Sequence, residues 1–218
     1  MSSQSPRLFG DTEGKVMPWL DRLEGITYKS DPLMFFINLS RHKFAGRHLK
    51  RSDRVMDAGC GAGVGTVMLA AFAGHAVGVD YDEELIAQCR EQYGDNPRLE
   101  FRQANLLVGP PEREAFDAVV CLDVVEHFQR RDAETVMRNL SASLKEGGVA
   151  IVGTPNSVSA PYASPRRKAS HPFEYDPKTF GELLACGFQR RSIYAMTDEV
   201  VSTAFLNLAW YLMGVCWK

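Results

Sequence analysis

The sequence predicts an α/β protein with a doubly wound, mostly parallel sheet and helices on both of its faces. Apolar segments of strand length alternate with segments of helical length, a glycine-rich turn follows the first strand, and an acidic residue ends the second. Alternation of this kind produces parallel sheets, which bind ligands beyond the carboxyl ends of their strands. We therefore expect Asp57, Asp80, Asn105 and Asp123 to share one edge of the sheet.

The elements follow one another in a regular order along the chain. The predicted strands cover 54–58, 75–79, 99–102, 117–122 and 148–153, and the predicted helices cover 64–73, 83–93, 132–144 and 177–186. A strand pair is expected near residues 188–196. From about Tyr28 to Leu49 apolar side chains recur at helical spacing, which predicts a further helix before the first strand.

The last predicted element is the segment 200–217, which carries no charged residue. Its length lies at the lower limit for a membrane span, and Asn207 and Gly214 make it a poor one. We expect a buried lid helix or a helix at a homodimer interface. A peripheral membrane contact through this segment is the alternative.

Composition indicates one domain over residues 1–218. The chain has 218 residues, of which 45% are hydrophobic and 24% charged, which suits one core and is short for two. A net charge of −2 gives no electrostatic footprint for nucleic acid, so we expect no nucleic-acid partner. The five cysteines lack C-x-x-C spacing and favour neither a disulfide framework nor a zinc site. Because the first residues lack an apolar signal core, we expect a cytoplasmic location.

The glycine-rich turn, within VMDAGCGAGVG from Val55 to Gly65, is typical of a loop that lies against a cofactor. The dinucleotide pattern G-x-G-x-x-G is not met, because Val64 or Thr66 stands where the third glycine belongs. Asp57 would repel a phosphate but could pair with a cationic amino group. S-adenosylmethionine, which has an amino-acid tail, a sulfonium and an adenosine, fits this combination.

A second acidic residue, Asp80, ends the predicted strand that contains AVGVD. The separation from Asp57 is enough for one helix and a returning strand of a βαβ unit. In nucleotide-binding sheets, an acid at the tip of the second strand binds the ribose hydroxyls. We therefore expect Asp80 to bind the ribose, the alternative being an acid that only ends a turn.

Six sequence blocks between about Arg41 and Phe188 resemble the class I S-adenosylmethionine-dependent methyltransferases. They are VMDAGCGAGVG, GVDYD, FRQANLL, FDAVVCLDVVEHF, LKEGGVAIVGTPN and HPFEYDPKTFGELL. Within that family the chain is similar to a small-molecule group that includes ubiquinone-pathway and sugar-modifying enzymes. The resemblance implies a Rossmann-like methyltransferase with S-adenosyl-L-methionine as cofactor and S-adenosyl-L-homocysteine as product. It also implies N-terminal lid helices over 1–50, a cofactor-binding core over 51–156, and a substrate loop with C-terminal elements over 157–218.

The same resemblance assigns a set of cofactor contacts. They are Arg41, Asp57, Gly59, Cys60, Gly61, Gly63, Asp80, Tyr81, Asn105, Leu106, Leu122 and Asp123. Relatives commonly carry an acid at the position of Asn105, whose amide oxygen is expected to accept a hydrogen bond from adenine, the alternative being an asparagine that closes a turn. Arg41 matches a basic position of relatives and could clamp the methionyl carboxylate, although a solvated basic face is the alternative.

The segment after the fourth strand carries the candidate catalytic residues. His127 is the candidate general base, because histidine changes charge near neutral pH, and Glu126 and His171 complete the expected catalytic set. Asp123 and Glu126 would share one face of a helical turn, so Asp123, Glu126 and His127, with His171, form an alternative metal site. A structural role beneath the cofactor is a third interpretation, and a metal is not the main expectation.

The loop after the fifth strand should contact the methyl acceptor. Tyr162, His171 and Tyr175 are candidate contacts, and the basic run 166–168 is either solvated or bound to an anionic group of the acceptor. We expect methyl transfer to an oxygen of a small molecule, either a sugar or glycan precursor or a quinone or lipid-like phenol. The alternatives are a catalytically idle cofactor-binding subunit and, less favoured, a dinucleotide-dependent oxidoreductase.

Overall fold

The computed structural model of the protein describes residues 32–218, except for the side chain of Arg166. The part of the expected N-terminal helix that precedes Pro32, and with it most of the expected lid, lies outside the described residues. Strands are β1 Arg54–Ala58, β2 His75–Asp80, β3 Leu99–Gln103, β4 Phe116–Leu122, β5 Leu144–Pro155, β6 Arg190–Thr197, β7 Val200–Ser202 and β8 Tyr211–Trp217. Helices are α1 Pro32–Gly46, α2 Val64–Ala70, α3 Glu83–Tyr93, α4 Arg130–Ser143, α5 Pro165–Ser170 and α6 Pro177–Ala185, with 3₁₀ turns at Val125–His127 and Ser157–Tyr162.

The eight strands form one sheet in the order β3-β2-β1-β4-β5-β8-β6-β7. Strands β1 to β5 are parallel, whereas β8 runs antiparallel to both β5 and β6. The strand order reverses between β1 and β4, and such a reversal creates the crevice in which open α/β sheets bind ligands. The expected doubly wound, mostly parallel α/β fold is therefore confirmed.

Helices cover both faces of the sheet through apolar stripes. In α4 the buried residues Ala133, Val136, Met137 and Leu140 recur at helical spacing and pack with α6 against one face. On the other face, Ala45 of α1 joins α2 in a second buried cluster. These two layers fix the strand ends that carry the candidate site.

The expectation of a helix over residues 200–217 is wrong. The segment forms the short strand β7, a connecting loop and the strand β8, which is buried on both faces along most of its length. A strand covered on both sides is apolar at successive positions, so its pattern cannot be distinguished from that of a buried helix. No helix within residues 32–218 combines the length and the apolarity that crossing a membrane requires.

Candidate active site

The turn between β1 and α2 uses backbone conformations that glycine adopts readily. Gly59, Gly61 and Gly63 have φ angles of 79°, 53° and 81°. A Cβ atom on Gly59 would lie 2.4 Å from a methyl carbon of Val124, in the segment that follows β4. The glycines therefore allow the turn to lie directly against that segment.

Asp57 lies beneath this turn. Its side chain is buried and accepts a 2.7 Å hydrogen bond from the hydroxyl of Thr66, at the start of α2. The other carboxylate oxygen lies 3.9 Å from Nε2 of His42 in α1. Burial raises the pKa of the Asp57 carboxyl, and the nearby His42 and the Thr66 hydrogen bond oppose that increase. Asp57 thus ties β1 to both neighbouring helices.

Asp80, at the end of β2, fixes the other side of the turn. One carboxylate oxygen accepts a hydrogen bond from the backbone N–H of Gly61 at 3.0 Å, and the other accepts one from Asp82 at 3.1 Å. Asp80 also lines a cavity of about 630 Å³ together with Gly59, Gly61, Tyr81, Asn105 and Leu106. Both polar residues and apolar residues such as Leu85 line the cavity, and an adenosine carries groups of both kinds.

The amide group of Asn105 closes a turn, which is the alternative interpretation of this residue from the sequence. Its side-chain oxygen accepts a 2.9 Å hydrogen bond from the backbone N–H of Leu107 and so closes a local turn. This interaction occupies one acceptor position of the oxygen, and it leaves the NH₂ group as a donor. Asn105 can therefore donate to a ring nitrogen of a base in this cavity, which an aspartate could not do.

A second cavity of about 660 Å³ adjoins the first and extends toward α1 and α5. The two cavities share Gly59, Gly61, Asp123, His127 and Ser170. Residues found only in the second include Arg41, His42, Cys60, Leu122, Glu126, Arg167 and His171. The arrangement can hold a nucleoside in one cavity and a second molecule in the other.

Asp123 lies where the two cavities meet and has a φ angle of 57°, a left-handed conformation that aspartate tolerates better than most residues. Its carboxylate oxygens accept hydrogen bonds of 2.8 and 2.7 Å from one terminal nitrogen of Arg41. Burial is the largest single influence and disfavours the charged form of Arg41, but Asp123, Tyr211 and Glu126 together outweigh it, and the pKa of Arg41 is raised. The pair joins α1 to the end of β4.

Glu126 lies deeper, in the 3₁₀ turn after β4, and is 1% exposed. One carboxyl oxygen accepts a 3.0 Å hydrogen bond from the hydroxyl of Thr154, while the other has no partner within residues 32–218. Burial, reinforced by the charge of Asp123, raises the pKa of Glu126 to about 8. Around pH 7 this group is therefore mainly a neutral carboxylic acid.

His127 and His171 face each other at the same site, with ring centroids 4.8 Å apart and ring planes nearly perpendicular. Nδ1 of His127 lies 2.9 Å from the carbonyl oxygen of Ser170, and Nδ1 of His171 lies 3.2 Å from a carboxylate oxygen of Glu174. Both contacts favour the tautomer that carries the proton on Nδ1, which leaves Nε2 with a lone pair. Burial lowers the pKa of His171 and favours its neutral form.

Most of the predicted site residues line these two cavities. The predicted cofactor contacts Asp57 and Gly63 line neither cavity, and two predicted acceptor contacts are also absent from them. Tyr175 is 0% exposed and packs against Phe173 and Phe180, so its expected contact with an acceptor is wrong. Tyr162 is exposed and stacks on Trp210.

Sequence reasoning missed two of the residues that complete the site. His42 stands next to Arg41, and helical spacing from Asn38 could have identified it. Glu174 follows His171 by three residues within the recognised block HPFEYDPKTFGELL, but no spacing rule links a carboxylate to the ring that it orients.

The reversed strand order, the glycine turn and the acid at the end of β2 define the class of this protein as a class I methyltransferase fold. Residues 55–148 match a family described as a methyltransferase domain. A protein of Mycobacterium tuberculosis named as a probable S-adenosylmethionine-dependent methyltransferase is 32% identical over 157 residues, which cover 72% of this chain and 52% of the relative. The chain therefore spans about half the length of that relative.

Two further comparisons agree with this class. The human mitochondrial ubiquinone biosynthesis O-methyltransferase is 34% identical over 115 residues, which cover 50% of this chain and 31% of the relative. The solved structure of an S-adenosylmethionine-dependent methyltransferase from Thermotoga maritima has a TM-score of 0.70 at 18% identity, covering 92% of this chain and 98% of that chain. Together the fold, the matched domain and these relatives support a class I S-adenosylmethionine-dependent methyltransferase with S-adenosyl-L-methionine as its cofactor. The dinucleotide alternative is thereby set aside.

Proposed function

We propose that the protein transfers a methyl group from S-adenosyl-L-methionine to an oxygen atom of a small molecule. The observation that carries the proposal is the pair of adjoining cavities that share Asp123 and His127. One cavity suits the nucleoside, and the other brings titratable side chains next to it. Methylation of oxygen is supported by the likeness to a ubiquinone biosynthesis O-methyltransferase. A quinone-like phenol or a sugar hydroxyl is the acceptor class.

The cofactor would lie along the carboxyl ends of β1, β2 and β4. Asp80 would accept hydrogen bonds from the ribose hydroxyls, because its carboxylate lines the first cavity at the end of β2. The glycine turn would contact the methionyl part, and Arg41 would bind the methionyl carboxylate in the second cavity. This orientation puts the sulfonium methyl group near the place where the two cavities meet.

His127 would act as the general base on the acceptor. Its Nδ1 is held by the carbonyl oxygen of Ser170, so Nε2 can accept the proton of an acceptor hydroxyl. As that proton moves to Nε2, the acceptor oxygen attacks the methyl carbon, and the carbon–sulfur electrons remain on the departing neutral thioether. His171 and Glu126 surround the same position and would bind the acceptor.

A divalent cation also fits these side chains. The nearest ligand atoms of Glu126, His127 and His171 all lie within 4.8 Å of one another. Glu126 has an unpaired buried oxygen, and each imidazole is oriented through Nδ1 in the manner of metal-bound histidines. These three residues would hold the cation, with Asp123 next to them. When bound, the cation would lower the pKa of an acceptor hydroxyl.

The test is transfer of labelled methyl groups from the cofactor to catechols, other phenols and sugars by purified protein. His127→Ala should reduce turnover at saturating cofactor by about 100-fold or more, as loss of a general base does. His48→Ala is a matched control, because His48 lines a separate cavity with Asp53 and Asp117 at the amino ends of β1 and β4. Unchanged turnover in His127→Ala would remove His127 from this role.

Two outcomes separate the remaining alternatives. A protein that binds labelled cofactor but transfers no methyl group to any acceptor would support the idle cofactor-binding subunit. Removal of cations with EDTA, followed by titration with Mg²⁺ or Mn²⁺, tests the cation. Turnover that persists after removal, together with no heat of Mn²⁺ binding, would exclude the cation and leave the general base in place.

A further inference from the structure

The guanidinium group of Arg41 is held in an unusual way for a side chain that must bind a ligand. Only one of its terminal nitrogens, Nη1, binds Asp123, and the side chain is 12% exposed. Within residues 32–218, its Nε has no hydrogen-bond partner although it is buried. Because both hydrogen bonds come from the single nitrogen Nη1, a further contact is needed to fix the plane of the guanidinium group.

The face of the guanidinium lies on the ring of Tyr211, with Cζ of Arg41 3.8 Å from the ring centroid. Tyr211 is the first residue of β8 and is 3% exposed. A guanidinium over an aromatic face gains attraction from the ring electrons, and the gain is larger where water is excluded. This contact was not predictable from the sequence, because Tyr211 lies in the segment expected to be helical.

We propose that Tyr211 is a positioning residue of the cofactor site, which holds Arg41 so that one terminal nitrogen binds Asp123 and the other is left for the methionyl carboxylate. This inference rests on the proposed function, in which Arg41 binds that carboxylate. It assigns to the antiparallel strand β8 a part in cofactor binding that the five parallel strands do not supply.

The hydroxyl end of Tyr211 lies close to Gly153 of β5, the residue whose backbone binds Asp123. An ideal Cβ on Gly153 would lie 2.6 Å from the Tyr211 hydroxyl oxygen, so the absence of a side chain there lets the ring approach β5. The carbonyl oxygen of Gly153 accepts a 3.0 Å hydrogen bond from the backbone N–H of Asp123. Tyr211 therefore packs against both the guanidinium and the strand that orients Asp123.

Tyr211 also remains uncharged across the range in which the protein would work. Burial raises its pKa, and the negative charge of Asp123 adds to that effect. A neutral phenol does not compete with Asp123 for the positive charge of Arg41. The contribution of Tyr211 is thus to restrict Arg41 to one orientation, which reduces the ordering that cofactor binding would otherwise require.

The experiment is calorimetric titration of S-adenosyl-L-homocysteine into Tyr211→Leu, Tyr211→Phe and wild type. Loss of the aromatic face in Tyr211→Leu should weaken binding by about tenfold, the amount expected for a desolvated cation–π contact. Tyr211→Phe keeps the face and should stay within about threefold of wild type. In kinetic assays the loss in Tyr211→Leu should appear mainly as a higher KM for S-adenosyl-L-methionine and only to a smaller extent in kcat, because Arg41 is proposed to bind the cofactor and not to take part in methyl transfer.

Tyr194→Leu is the matched control. Tyr194 lies on β6, which pairs with β8, and its ring packs edge-to-face on Phe44 of α1. It should bind the cofactor product as wild type does. Equal affinity in Tyr211→Leu and wild type, or equal weakening in the Tyr194 and Tyr211 variants, would overturn the inference. Absence of binding by wild type would instead refute the proposed function.

Gly153→Ala keeps the test decisive if Tyr211→Leu does not fold. The added methyl group would lie 2.6 Å from the Tyr211 hydroxyl oxygen and 2.7 Å from both Cε1 of that ring and Cδ2 of Leu122, so the ring must move from its present position while the aromatic side chain stays in the core. A folded Gly153→Ala protein should show the same weakening. Wild-type affinity in that variant would overturn the inference.

Discussion

Replacing Glu126 by Gln should remove a large part of the pH dependence of the stability of the protein. Glu126 is 1% exposed, and burial together with Asp123 raises its pKa from 4.5 to about 8. The unfolded chain releases this proton near the ordinary pKa, whereas the folded protein retains it until about pH 8. The protonated Glu126 carboxyl therefore stabilises the fold fully below about pH 4.5, and this contribution is lost as the pH rises through about 8.

The size of the effect follows from the two pKa values. Each pH unit between them lowers the free energy of unfolding by about 1.4 kcal/mol, so the interval from 4.5 to about 8 corresponds to about 5 kcal/mol. Between pH 5.5 and 7.5, wild type should lose about 2 to 3 kcal/mol relative to the Gln variant. The Gln side chain is uncharged throughout and can still accept the hydrogen bond from Thr154.

The assay is urea unfolding of both proteins at several pH values between 5.5 and 7.5, with EDTA present to keep cations away. The difference in unfolding free energy between the two proteins should shift steadily in favour of Glu126→Gln as the pH rises. Parallel pH profiles for the two proteins would show that Glu126 does not retain its proton in the fold, and the reasoning from burial would be refuted.

Two further substitutions test the two acidic residues on either side of the glycine turn, Asp80 and Asp57. Asp80→Asn should weaken binding of S-adenosyl-L-homocysteine by about 10- to 100-fold, because a charged acceptor for the ribose hydroxyls is lost; calorimetry that finds wild-type affinity would count against the ribose contact. Thr66→Val removes the hydroxyl that donates to the buried carboxylate of Asp57. It should lower the free energy of unfolding by about 1 to 3 kcal/mol in urea titrations, and an unchanged midpoint would contradict a role for that hydrogen bond.

The parallel half of the sheet was predictable because short apolar runs there end at glycine or acidic residues. β1 and β2 lead into the glycine turn and into Asp80, and both strands lie within one residue of their expected bounds. Buried parallel strands read as short apolar runs, and glycine or acidic residues mark their ends. Local sequence was sufficient to predict β1 and β2, because each strand and the turn or acidic residue that marks its end are adjacent in the chain.

The antiparallel half was not predictable in the same way. β8 is apolar at almost every position and has no marker at its start, so only its pairing with β5 and β6 reveals that it is a strand. The contact between Tyr211 and Arg41 depends on that pairing. Asn105 is a second residue whose role the sequence left open. Only the structure shows that its amide oxygen accepts a hydrogen bond from the backbone N–H of Leu107.

The position of β8 has a consequence for how the chain assembles. β6 and β7 precede it in sequence, yet they join the parallel half only through it, because β8 lies between β5 and β6. During synthesis one edge of β5 stays unpaired until residues 211–217 have left the ribosome, because β8 is its partner on that side. A chain that ends before that point would expose the unpaired edges of both β5 and β6, which can pair with other chains. It would also lack the Tyr211 ring that lies against Arg41.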